Sequence, residues 1–444
     1  MWLGSVAISM REDFLHYVWQ QQYFDKQALR THTGEEVTVL HPGFHNTDAG
    51  PDFLNARLQL GEVEWNGAVE IHLRASDWRR HQHQTDARYD QVILHVVLTD
   101  DQPVLRTDGT PIPTVALAGR IPLDMLHTYQ QLQAAPPATL PCAPFLPRIP
   151  DITRISMVDR ALLERMERKA ATVQLLHQQL DNDWEATAWH VLAAGFGFRK
   201  NTEPLARLAK ALPLRVLRRH RHNLLQTEAL LFGQAGFLSA TENNTDDLAD
   251  EYVQKLVTEY EFLRHKYALE NTGLQEHEWN FLRMRPANFP TVRLAQLAAL
   301  LHARPLLFDA LLSAQNVAAL EQFFSAKSSA YWHTHYRPGR AGNVPALGRS
   351  SMHLLIINVV VPLRVAYART VDQAEQVEAA LHLLTQLPAE KNHILALYEG
   401  LPFTQRTAAD SQGLLMLATA YCQPLRCVEC AIGSRILRHN SVLK

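Results

Sequence analysis

The sequence predicts an α/β core followed by a mainly α-helical C-terminal domain. Period-two, strand-like patterning is confined to the first quarter of the 444 residues. Six prolines crowd the stretch from Ala134 to Pro150 and exclude a helix or a central strand there. Beyond that stretch apolar residues recur at helical spacing. The expected division is therefore residues 10–120 as core, 121–150 as linker and 151–444 as helical domain.

Within the core, Phe14, Leu15, Val18 and Trp19 recur at helical spacing and predict a first helix. Glu35–Leu40 reads as a strand. Ala56, Leu58 and Leu60 alternate in a second strand from Phe53, stopped by Gly61. Trp65–Leu73 is the third strand. Ser76-Asp77 supplies capping chemistry for a short helix. Gln91–Leu98 is a near-continuous apolar run, as in a strand buried on both faces. In the second part, helices are expected at 155–181, 184–194, 204–212, 246–267, 292–301, 306–312, 371–387 and 393–399. The apolar run Leu354–Leu363 is interrupted by Asn358 and Pro362 and reads as a buried core segment, so no membrane span is expected.

The chemistry concentrates in the core. Asp52 follows Gly50-Pro51, and Glu70 comes eighteen residues later inside Ala68–Leu73. On a strand, residues two apart share a face, so Glu70 and His72 point together while Val69 and Ile71 point away. Two converging carboxylates suit a hard cation such as Mg²⁺ or Mn²⁺, which can activate water and hold charge on a phosphoryl group. Glu12 or Glu36 is a further candidate acid. Four histidines, His72, His81, His83 and His95, fall within 24 residues with Asp86 and Asp90. They could bind Zn²⁺, Mn²⁺ or Fe²⁺, or orient water or a phosphate near Glu70. The chain carries 22 histidines, so part of this clustering is compositional, and His81 and His83 are poorly spaced for one helix face.

The net charge of −2 excludes a protein that coats nucleic acid by bulk charge. Local charge differs: Arg215, Arg218, Arg219 and Arg221, interleaved with His220 and His222, form the densest basic patch. Such a run is either a solvated helix face or a helix that follows a phosphate backbone of DNA or RNA. Cys422, Cys427 and Cys430 form C-x4-C-x2-C, and Cys142 lies alone in the proline-rich segment. Met1–Ser9 has no charged leader region, so a cytoplasmic location is expected and structural disulfides are not. Four thiolates can close a site for Zn²⁺ or a 4Fe–4S cluster.

The Pro-Asp dipeptide and the later Glu70-x-His72 triplet, set in an α-β-β-β-α-β order, resemble the PD-(D/E)xK nucleases of restriction-endonuclease-like fold. That resemblance implies a metal-dependent nuclease acting on DNA or RNA. Asp52 and Glu70 would be metal ligands, and His72 would stand where the family has its water-orienting lysine. The cysteine spacing is similar to the iron–sulfur staple of some of these nucleases, although here Cys142 follows the core motif. Over nearly the whole chain, the blocks His45–Phe53, Val69–His72, Ser76–Trp78, Glu228–Gly236 and Arg283–Pro290 resemble an uncharacterised bacterial family, domain of unknown function 2851, which carries no established activity. Two other functions fit the same residues: a non-catalytic nucleic-acid- or protein-binding module that keeps the fold, and a hydrolase using the histidine cluster on another substrate. Nothing in the sequence specifies an oligomeric state.

Overall fold

The strand-forming residues of the first part assemble one mixed sheet. The computed structural model describes residues 10–136, 138–238, 250–270 and 272–441, which pack as two compact units. The first unit comprises the described residues up to Val158, together with 392–403 and those from Leu415 on. The second comprises 159–391 and 404–414. The expected leader reading of Met1–Ser9, and the first four residues of the helix expected at 246–267, lie outside the described residues.

In the first unit, helix α1 (Glu12–Gln21) precedes β1 (Val37–His41), β2 (Phe44–His45), β3 (Phe53–Leu60) and β4 (Val63–Arg74). The short helix α2 (Asp77–Arg80) then leads through two 3₁₀ turns to β5 (Val92–Thr99) and β6 (Thr114–Ala116). Helix α3 (Leu123–Gln133) follows. The sheet order is β1-β3-β4-β5-β6, with β2 paired to β3. Strands β1, β3 and β4 form an antiparallel meander, whereas β4 and β5, and β5 and β6, run parallel. The parallel step needs a crossover, which residues 75–91 supply. Val92–Val97 are buried throughout, as the apolar run predicted.

Helix α1 inserts Phe14, Leu15, Tyr17, Val18 and Trp19 into the interior, and Phe14 stacks on Tyr129 of α3 with ring centroids 4.1 Å apart. The C-terminal segment returns to this unit: the Tyr17 hydroxyl meets Ser434 Oγ at 3.0 Å. Cys422, Cys427 and Cys430 therefore pack with the α/β part and not with the helical part, where sequence order had put them. A chain's return to an earlier unit leaves no mark in local periodicity.

The second unit is helical. Observed helices at Trp184–Phe196, Thr202–Ala211, Glu251–Lys266, Pro290–Ala303, Leu307–Ser313 and Ala374–Thr385 match the periodic segments closely. Residues 395–398, expected as helix, form only a 3₁₀ turn, in the first unit. Leu354–Leu363 lies within one helical run, Arg349–Thr370, that includes a π-helical stretch at Ile356–Val360. By length and composition this run could cross a membrane, but 67% of its most apolar window is buried inside the protein. It belongs to the core of the helical unit.

Candidate functional site

Strand register brings the two predicted carboxylates together. Phe53 of β3 pairs with Val69 of β4, which sets Asp52 beside Glu70 and Ile71. The Asp52 backbone N–H donates to Glu70 Oε2 at 3.0 Å, and the Ile71 N–H donates to Asp52 Oδ2 at 2.9 Å. Each carboxylate is thus anchored by the backbone of the other's strand. Pro51 and Gly50, with φ of 126°, set the entry into β3.

Helix α1 adds two groups. His16 Nε2 lies 3.2 Å from Asp52 Oδ2, at ion-pair distance though out of line for a hydrogen bond. Glu12 is one turn earlier on the same face. Burial and then the charge of Asp52 raise the Glu12 carboxyl. Burial works against the charged form of His16, but the Asp52 carboxylate outweighs it and the pKa is raised. Glu36, the other candidate acid, is remote in chemistry: it is exposed and pairs with Arg30 at 3.8 Å.

Glu70 is 4% exposed and its carboxyl is held well above the usual range, first by burial and then by the neighbouring Asp52 charge. A proton or a cation is needed between these groups at neutral pH. His72, 1% exposed, sits on the same strand face as expected. Its Nδ1 meets His95 Nε2 at 2.8 Å, and its Nε2 meets His81 Nδ1 at 3.1 Å. Burial, then His95, His83 and His81, depress its pKa to about 2. His95 pairs with Glu70 across the parallel β4/β5 ladder, and burial lowers it to about 3. His83 Nε2 lies 3.2 Å from Glu70 Oε1, and the ring stacks on Tyr89 with centroids 3.8 Å apart.

All four expected histidines therefore converge. Gln82, with φ of 63°, resolves the spacing problem of His81 and His83. A left-handed residue between them reverses the chain, so both rings face β4, which neither could do together on a regular helix. Asp86 and Asp90 do not join: Asp86 is forked by Arg88, and Asp90 accepts from Thr107. His16 is the member that the sequence reading left out, and its signal is the Glu12-x3-His16 spacing on one face of α1.

The cysteines also converge. Burial first, then the charges of Cys422, Cys430 and Cys427, raise the Cys142 thiol well above its ordinary value. Burial and neighbouring thiols push Cys422 and Cys427 to about 12. The Tyr398 hydroxyl lies 3.9 Å from Cys422 Sγ. None of the four is in a disulfide. Gly433 lets the last helix approach closely, because a Cβ there would sit 2.1 Å from the Cys427 carbonyl oxygen. Among the described residues, no three of these sulfurs lie within 4.8 Å of one another.

The arginine patch belongs to the helical unit. Arg215, Arg218 and Arg219 are exposed on the helix Leu214–His220, and Arg221 is half-buried just beyond it. The chain belongs to the family described as "Protein of unknown function (DUF2851)", whose model matches residues 12–393. No curated protein and no solved structure gives a match.

Proposed function

We propose that this member of the family of unknown function DUF2851 is a metal-dependent nuclease that hydrolyses phosphodiester bonds in DNA or RNA. The observation that carries this reading is the cross-anchored pair of Asp52 and Glu70 at the β3/β4 junction. The sheet around it supports the same reading: β1, β3 and β4 are antiparallel and β5 and β6 parallel, with α1 before the sheet and α2 in the crossover, an order compatible with a restriction-endonuclease-like core to which β2 and β6 are additions. Asp52 and Glu70, with Glu12 alongside, would hold Mg²⁺ or Mn²⁺. The ion would supply a bound water of lowered pKa and offset phosphoryl charge.

His72 occupies the sequence position of the usual lysine, but it is a poor proton acceptor. Both its ring nitrogens are engaged by other imidazoles, and burial disfavours its charged form. His16 is better placed. Its raised pKa and its contact with Asp52 let it carry a positive charge beside the carboxylates, which is the electrostatic part of the lysine's work. The test is cleavage of single- and double-stranded DNA and RNA by purified protein with Mn²⁺. Wild type should cleave, and Asp52→Ala and Glu70→Ala should each lose a hundredfold or more (roughly what loss of one key electrostatic group costs). Binding of nucleic acid without cleavage under every condition would replace the enzyme by the binding-module reading.

We further propose a metal centre at Cys142, Cys422, Cys427 and Cys430. Zinc–sulfur bonds of about 2.3 Å place tetrahedral thiolates about 3.8 Å apart. The sulfurs here are more widely spread, since no three of them fall within 4.8 Å of one another among the described residues. A larger guest such as a 4Fe–4S cluster suits that spacing better than a single zinc ion.

A further inference from the structure

We propose that His72, His81 and His83 form a site for a borderline transition ion of the Zn²⁺ or Fe²⁺ class. Glu70, which belongs to the carboxylate site proposed above, flanks it on the side of His72 and His83. The histidine site does not depend on the protein being a nuclease.

The geometry is that of a ligand shell. One ligand nitrogen from each of the three histidines falls within a mutual 4.8 Å. The Nε2 of His72 lies 3.1 Å from His81 Nδ1. Glu70 Oε1 lies 3.2 Å from His83 Nε2 and 3.6 Å from His72 Nε2. Metal–nitrogen bonds of about 2.0–2.1 Å require neighbouring tetrahedral ligands about 3.4 Å apart. The His72–His81 separation is close to that value, and the third nitrogen lies within 4.8 Å of both.

Glu70 divides its two oxygens. Oε2 accepts from the Asp52 backbone, on the side of the carboxylate pair, while Oε1 faces the imidazoles. Imidazole nitrogen favours Zn²⁺ and Fe²⁺, whereas Mg²⁺ takes oxygen ligands and keeps its waters. A three-imidazole shell therefore discriminates against the ion that suits Asp52 and its neighbours.

The surroundings are those that orient a metal ligand. With its proton on Nδ1, His72 donates to His95 Nε2 and turns its Nε2 lone pair toward the site, where it meets His81 Nδ1; such outer partners fix tautomer and ring angle. Tyr89 stacks on His83, and Trp78 meets the rings of His72, His83 and His95 edge-on. The left-handed backbone at Gln82 is an added conformational cost, and what it achieves is to turn His81 and His83 toward the same point.

The test uses full-length protein stripped with a chelator and titrated with Co²⁺, Zn²⁺ and Mg²⁺. Cobalt bound by nitrogen and oxygen shows visible d–d bands without the near-ultraviolet thiolate charge-transfer band that the cysteines would give. Wild type should bind one equivalent of this kind, displaced by Zn²⁺ and not by millimolar Mg²⁺. His83→Ala and His81→Ala should each weaken it tenfold or more. His81 is exposed, so its truncation leaves the fold intact and keeps the test decisive. An unchanged cobalt spectrum and stoichiometry in the His81→Ala His83→Ala double variant would overturn the proposal, as would displacement by Mg²⁺. Metal binding as described with no cleavage of any nucleic acid would sink the nuclease reading alone. Mg²⁺-supported cleavage together with a cobalt spectrum unchanged in the double variant would sink this one alone.

Discussion

Replacing Glu228 with Gln should remove a pH-dependent loss of stability from the helical unit. Glu228 lies in the helix Leu224–Gln234 and is fully buried. The Tyr252 hydroxyl donates to its Oε2, while Oε1 finds no hydrogen-bond partner among the described residues. Burial raises its pKa from 4.5 to about 7, against the lowering effect of Tyr252 and Ser329. In the unfolded chain the carboxyl ionises near 4.5, while the folded chain holds its proton until about 7. The folded state thus binds more protons over that interval, and stability must fall as pH rises through it. The rise from 4.5 to about 7, at 1.36 kcal/mol per pKa unit, gives a ceiling of about 3 kcal/mol, most of which is lost between pH 5 and 8. Gln keeps an acceptor for Tyr252 and cannot ionise. Urea midpoints followed by helical circular dichroism at pH 5 and pH 8 measure the effect. Wild type should lose about 2–3 kcal/mol more than the variant over this range. Equal losses in the two proteins would refute the argument, because the carboxyl would then be as free to ionise folded as unfolded.

Two further outcomes are expected. Anaerobically purified protein should be brown and contain iron at the cysteines, and Cys142→Ser should bleach it and lower its melting temperature, since the thiolates join residues distant in sequence; colourless protein with one zinc would favour the smaller guest, and metal-free protein would leave only inert thiols. If the arginine patch follows a phosphate backbone, Arg218→Ala and Arg219→Ala should weaken nucleic-acid binding at low salt and reduce the slope of log K against log salt by about 1 for each contact removed, whereas an unchanged slope would return the patch to a solvated helix face.

Much of the core was legible because its signals are local. The alternation in Val69–His72 assigns faces, and the unbroken apolar run at Val92–Val97 marks a strand covered on both sides. The pairing of Asp52 with Glu70 followed from a turn and a strand. What stayed hidden depends on backbone reversal or tertiary return. Gln82 carries no residue-type signal for a left-handed conformation, so the 81/83 spacing looked wrong for a joint site. The approach of α1 that brings His16 to Asp52 is a packing outcome, as is the return of Leu415–Ser441 to the first unit. The short β2 and β6 gain their strand geometry only from their partners, β3 and β5.

The two clusters of buried ionisable groups differ in a way that bears on function. Glu228 is a single carboxyl in which burial outweighs the polar groups of Tyr252, Ser329 and Trp332. Around Glu70 the same burial acts on many groups together: Glu12 and Glu70 are raised, while His72, His81, His83 and His95 are lowered. Every one of these shifts favours the uncharged form, and each is free energy that an apolar core of the same volume would not lose. Interiors keep such groups where something binds them. Neutral imidazoles offer bare lone pairs, and a carboxyl that holds its proton only for want of a better partner yields that proton to a cation. On the opposite face of β4, where no such chemistry is in play, the buried positions are the apolar Val69 and Ile71.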